Sequence, residues 1–263
     1  MPTSLSFAQH GTGIGDAGSV IRAQAVSAGL DAPVPTCPGW SMRDLVTHVG
    51  LAHRWALANL AGKGPSEWPT EDSVTAEAAA APDLLDWFDE GLVTALQTLA
   101  ASPEDLQAFF FLKDAPPPRH AWARRQCHEM TIHGVDAMAA RLGRLPTPAE
   151  TWIGAELAAD GVDELLMGFV PRKSGRLRTP EPVTALVRAT DVDRAWTMRL
   201  SADPVVSTTG PRDPAPDAAA PDVVVEASAL ELYLGLWNRG PLPQSGSVDL
   251  VQLWRRDQRV EWS

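Results

Sequence analysis

Glu129 and His133 stand four residues apart, and 3.6 residues per turn would bring them onto one face of a helix, one turn apart. Trp122, Met130, Ala137 and Ala140 fall near the same stripe, so the carboxylate and the imidazole are expected to point toward a core. A third group, His48, is set among Leu45, Val49 and Ala52, with Trp55 two turns on, again inside an apolar face. Burying an unpaired carboxylate costs several kcal/mol, roughly, and a divalent cation is one partner that offsets the cost. Two imidazoles and one carboxylate match the donors of catalytic zinc, with a position left for water or a substrate sulfur. Iron(II), manganese and nickel accept the same donors. A plainer arrangement is also open: His48 as a satisfied core histidine and Glu129 paired with Arg125, four residues earlier. The string His128-Glu129…His133 is not a zinc-protease motif, which needs histidines four apart. Here they are five apart, about 140° around a helix.

The elements that must position these residues come next. Val20, Ala23 and Val26 form a stripe from about Ser19 to Ala28, with Gly29 as a stop and Pro33, Pro35 and Pro38 behind it. Ser41 and Asp44 make a capping-box variant that opens a second helix running to about Ala61, with Trp40 placed to staple against Leu45. Pro82 at a first-turn position, followed by Leu84, Leu85, Phe88, Leu92, Ala95, Leu96 and Leu99, predicts a third helix. Arg119 to Leu142 predicts a fourth, closed by Gly143. Four such helices joined by proline-rich loops suggest a bundle. A further helix is expected from about Ala149 to Met167, followed by alternating strand patterns at Val183–Thr190 and Ala195–Leu200 around an Asp191-Val-Asp193 turn. Val223 to Glu226 reads as another strand, Asp203 to Pro221 as a loop, and Ala227 to Asn238 as a helix. The expected organisation is α+β, with a helical domain at 1–148 and a smaller α+β domain at 149–263.

Composition narrows the function classes. With 33 acidic against 22 basic residues and a net charge of −11, no nucleic-acid partner is expected, because such binding needs a basic face to release counterions from a phosphate backbone. No apolar run approaches a membrane span and the N-terminus lacks a signal pattern, so no membrane partner and a cytoplasmic location are expected. Cys37 and Cys127 are then expected as free thiols.

The stretch Val34-Pro-Thr-Cys-Pro-Gly-Trp-Ser-Met-Arg-Asp-Leu-Val-Thr-His48-Val-Gly resembles the start of the mycothiol-dependent maleylpyruvate isomerase family, and Arg124-Arg-Gln-Cys-His-Glu129-Met-Thr-Ile-His133-Gly-Val-Asp136 resembles its second metal segment. Ala227-Ser-Ala-Leu-Glu-Leu-Tyr-Leu-Gly-Leu-Trp-Asn-Arg239-Gly is similar to its second domain. The resemblance implies a DinB-like four-helix bundle followed by a sterol-carrier-like domain, with His48, Glu129 and His133 as zinc ligands and mycothiol as thiol cosubstrate. It further implies isomerisation of, or S-transfer to, a small electrophilic substrate. Arg239 becomes a candidate catalytic residue that would hold a substrate carboxylate, since guanidinium pairs bidentately with such groups; an arginine at a helix end is its plainer role. Asp136 could orient His133, whereas His53 and His120 fall off the ligand stripes and read as surface or non-ligand histidines. Trp40, Trp55 and Trp122 read as core. Where many relatives carry a basic or aromatic pair after the last ligand, this chain has Gly134 and Val135. Two rival classes remain: a non-catalytic, metal-stabilised binding protein, and a metal hydrolase acting without a thiol.

Overall fold

The computed structural model describes residues 3–213 and 219–258. Among these the chain forms eight α-helices and a five-stranded sheet, an α+β fold. It divides into two compact units: Leu5–Phe111 with Ala115–Thr151, and a second that runs from Trp152 onward and takes in Leu112–Asp114.

The first unit is helical. Helix α1 spans Phe7–Ala28, opening twelve residues before the expected Ser19, because Ser6 and Gln9 form a capping box at its true start. The glycines of this added stretch hid the period, and Gly18 is where α1 approaches its neighbours closely: a Cβ there would lie 2.3 Å from Leu92 Cδ2. Helix α2 (Met42–Leu60) begins at the expected box, with Ser41 N donating to Asp44 Oδ2 at 2.8 Å and Ser41 Oγ accepting from Asp44 N at 3.3 Å. A short helix α3 (Glu71–Ala80), capped by Thr70, was not expected. It buries only Val74 and Ala78 and so writes almost no stripe into the sequence. Helix α4 (Leu84–Ala101) follows the predicted pattern, except that its cap is Asp83 and Pro82 lies outside it. Helix α5 (Pro118–Leu142) ends at Gly143, whose φ of 67° is the left-handed conformation glycine adopts without strain. Both α1 and α2 pack on α5. Every residue from Ala121 to Ala140 is buried, so α5 has no solvated face, in contrast to the single inward stripe expected.

The second unit begins with helix α6 (Ala155–Asp163), continued by a π-helical turn over Glu164–Phe169. The helix expected from Ala149 starts later, because Thr147 and Glu150 close a short 3-10 turn ahead of it. The strands are β1 (Val183–Ala189), β2 (Ala195–Leu200), β3 (Val206–Gly210), β4 (Val223–Ala227) and β5 (Gln244–Gly246), in the order β3-β2-β1-β4-β5. The β1–β2 pair is the expected hairpin, antiparallel with Leu186 opposite Thr197, whereas β1 and β4 are parallel. Strand β3 falls within the segment 203–221 read as a loop; its edge position leaves alternate residues exposed, so it lacks the apolar run that marks a central strand. Residues 214–218 of that segment lie outside the described residues. Helix α7 (Ala229–Leu236) follows β4, and a further helix α8 (Leu250–Asp257), not expected, follows β5. Trp196 Nε1 donates to the buried Asp163 Oδ1 at 3.0 Å, tying β2 to α6.

Candidate metal centre

Helices α2 and α5 bring together the three residues singled out by spacing. His48 Nε2 lies 3.3 Å from Glu129 Oε1, and His133 Nε2 lies 3.2 Å from the same oxygen. The two imidazole rings stand edge to face, their centroids 4.9 Å apart. One donor atom from each residue lies within 4.8 Å of the other two. A cation held about 2.0–2.1 Å from each donor in tetrahedral geometry would set the donors about 3.3 Å apart. The two measured separations match that span, and the donor types suit zinc or another first-row dication. Among the described residues the cluster holds three such donors and no fourth.

The plainer reading of Glu129 is realised as well. Its second oxygen, Oε2, accepts from Arg125 Nη2 at 3.2 Å, so one carboxylate serves the histidines and the arginine at once. Burial alone would raise the Glu129 carboxyl. Hydrogen bonds from His133 and His48, with the charges of His133 and Arg125, hold it well below the usual carboxylate range, and the group is anionic. Burial likewise pushes His133 down, but Asp136 and Glu129 outweigh it and raise the imidazole to about 9. Its Nδ1 faces Asp136 Oδ2 at 2.9 Å.

Trp40 departs from expectation. The half-buried indole lies 4.9 Å from the His48 ring and stacks at 21° to His133, with 6.3 Å between centroids, so it flanks the donors. Its proximity follows from the loop before α2, which no periodicity encodes. Beside it opens a cleft of about 500 Å3 lined by Trp40, Arg43, Thr47, His48, Leu51 and Glu71, among others. His48 is thus shared between the cluster and the cleft.

His53 is no ligand of this cluster, but it is not at the surface either. It is fully buried, with Nδ1 2.7 Å from Gln126 Oε1, and burial pushes its imidazole down to about 4. His120 is half-buried and faces Glu104 at 3.0 Å. Cys37 and Cys127 form no disulfide. Arg239 lies in the second unit, just past α7, where its Nη1 donates to the Trp237 carbonyl at 2.8 Å.

A helical unit carrying a two-histidine, one-carboxylate cluster, followed by an α+β unit, makes this a two-unit α+β protein. Residues 14–138 match the mycothiol maleylpyruvate isomerase N-terminal domain and residues 156–253 match the C-terminal domain of the same family, and the chain belongs to that family. No curated protein matches the chain in sequence. Among solved structures, the fold is similar to that of a crystal structure of the mycothiol-dependent maleylpyruvate isomerase in a histidine-to-alanine mutant form, at 17% identity and a TM-score of 0.61, covering 94% of this chain and 98% of that one. A second crystal structure of the mycothiol-dependent maleylpyruvate isomerase gives 16% identity and a TM-score of 0.60 with the same coverage. Among the described residues no helix is long and apolar enough to cross a membrane.

Proposed function

We propose that this protein is a thiol-dependent isomerase in which His48, Glu129 and His133 hold a divalent metal, with zinc as the default ion and a low-molecular-weight thiol of the mycothiol type as cosubstrate. The observation that carries this reading is the convergence of both imidazole Nε2 atoms on one oxygen of a buried, anionic carboxylate. When bound, such an ion lowers the pKa of a coordinated thiol, so that thiolate is available at neutral pH.

The chain's own residues supply the rest. Glu129 brings a fixed negative charge, and Arg125 orients it through the oxygen the histidines do not use. Trp40 sets an apolar ring beside both imidazoles. The cleft at His48 offers a route by which thiol and electrophile reach the cluster. Isomerisation requires the thiolate sulfur to add to one carbon of a conjugated cis-alkene, with the electron pair moving onto the conjugated carbonyl. Rotation about the resulting single bond and expulsion of the thiolate then give the trans product, and the thiol is regenerated. S-transfer would have the same thiolate attack an electrophilic carbon and remain attached, an alkene adduct taking up a proton at the neighbouring carbon. Arg239 is proposed to bind a substrate carboxylate. A structural metal site normally has four protein ligands, and the three donors found here favour a catalyst over a metal-stabilised binding protein.

The test is metal analysis of the wild type and His48→Ala, followed by titration of the cobalt-substituted protein with mycothiol. A stoichiometric ion lost in the variant, and a sulfur-to-cobalt charge-transfer band that grows with thiol, are expected. A metal that binds without any such band would favour the thiol-independent hydrolase.

A further inference from the structure

Behind His133, on the side away from Glu129, two more residues converge. Asp136 is fully buried, and its Oδ2 atom receives both His133 Nδ1 at 2.9 Å and the Cys37 thiol at 3.5 Å. Two donors meeting on one carboxylate oxygen require it to be an acceptor, which places a proton on His133 Nδ1 and turns Nε2 toward Glu129 and His48. Cys37 also belongs to the tight turn before α2. Its amide donates to the Val34 carbonyl at 3.0 Å, its carbonyl accepts from the Trp40 amide at 3.0 Å, and the Val34 amide returns to the Trp40 carbonyl at 2.9 Å. A side chain that reaches Asp136 from this turn therefore fixes the backbone from which the Trp40 indole is held beside both imidazoles.

We propose that Asp136 and Cys37 are a positioning pair: Asp136 fixes the tautomer and ring orientation of His133, and Cys37 anchors the Trp40-bearing turn to α5 through Asp136. Neither residue touches substrate in this scheme. The proposal rests on the reading of His48, Glu129 and His133 as metal ligands, and goes beyond it by assigning the half-buried Cys37 a function that a packing side chain would not have. Partners of ligating histidines are tuned in this way because an imidazole that donates from one nitrogen is a better base at the other. The same three residues, Cys37, His133 and Asp136, could themselves surround an ion, since their donor atoms also lie within 4.8 Å of one another. The measured separations are those of hydrogen bonds.

The experiment measures zinc affinity, by competition with a chromogenic chelator, for the wild type, Asp136→Ala, Cys37→Ala and Cys37→Ser, each checked for folding by circular dichroism. Asp136→Ala should bind zinc about 10- to 100-fold more weakly. Cys37→Ala should weaken it to a smaller degree, and Cys37→Ser, whose hydroxyl can donate to Asp136, should recover most of the loss. In the nitrogen-15 spectrum of the histidine side chains, wild-type His133 should carry a slowly exchanging proton on Nδ1, and Asp136→Ala should lose it. A folded Asp136→Ala protein with wild-type affinity and an unchanged Nδ1 proton overturns the assignment. So does a thiolate-to-cobalt band in the wild type before any thiol is added, because Cys37 would then be a ligand. If the wild type binds no zinc at all, the metal reading fails by itself. The Nδ1 proton of the metal-free protein then decides the positioning role separately, upheld if Asp136→Ala removes the proton and overturned if it does not.

Discussion

Glu129 divides its two oxygens between two kinds of partner, the paired imidazoles on one side and Arg125 on the other. Its charge, more than its shape, should hold an ion. Glu129→Gln keeps the shape and is expected to weaken zinc binding by more than about 100-fold, beyond what loss of a supporting partner costs, as read by chelator competition. Two nearby histidines make the metal-free protein sensitive to pH in opposite directions. His53, pushed down to about 4 by burial, stays neutral in the fold where the unfolded chain would be charged, so stability is lost as pH falls below about 6.5. His133, raised to about 9 by Asp136 and Glu129 against the effect of burial, holds a proton the unfolded chain would release, so its contribution is present below about 6.5 and lost as pH rises through 9. These two groups place the stability maximum of the metal-free protein near pH 6.5, and urea midpoints measured from pH 5 to 9 would check it; a midpoint still climbing at pH 9 would contradict the assignment. Helical spacing paired Glu129 with His133 in the sequence, and His48 was joined to them by its apolar face and by the family resemblance. The placement of Trp40 was not legible there, since its neighbours are set by a turn that closes on residues about a hundred positions away, as the Cys37–Asp136 contact illustrates.

At the scale of elements, α2 must come close to α4 without losing the geometry of its own first turns. Gly50, two residues past His48, permits this: a Cβ there would lie 2.2 Å from the Trp87 ring, whose Nε1 donates to Glu77 Oε1 at 3.0 Å. Gly50→Ala should therefore destabilise the protein by about 1–3 kcal/mol in urea unfolding, because a packed indole has to move. Ser41→Ala removes the cap that starts α2 and should cost about 1 kcal/mol, with a smaller effect on zinc affinity than any ligand substitution. Helix α2 could be read from its capping box, α5 from its glycine stop, and α4 from its apolar positions. Helix α3 could not, because two buried residues do not make a period, and β3 could not, because an edge strand of Val, Ser and Thr looks like a loop until its partner is known.

At the scale of the molecule, the α+β class and the family were both readable, but the strand order was not. The hairpin β1–β2 is local, whereas the parallel pairing of β1 with β4 joins segments separated by two other strands. The cluster obeys the opposite logic of distance. His48 and Glu129 are 81 residues apart in sequence and meet at 3.3 Å, so an ion held between them would act as a clasp across a long stretch of chain. Clasps that close long loops restrict the unfolded chain most, and a ligand present at about 1,000 times its Kd adds about 4 kcal/mol to stability. Zinc should accordingly raise the thermal midpoint of the wild type and leave His48→Ala unmoved, a contrast differential scanning fluorimetry can read. Chelation should do more than silence the chemistry: with the clasp undone, the proline-rich connections between the helices become the places where a protease first finds the chain.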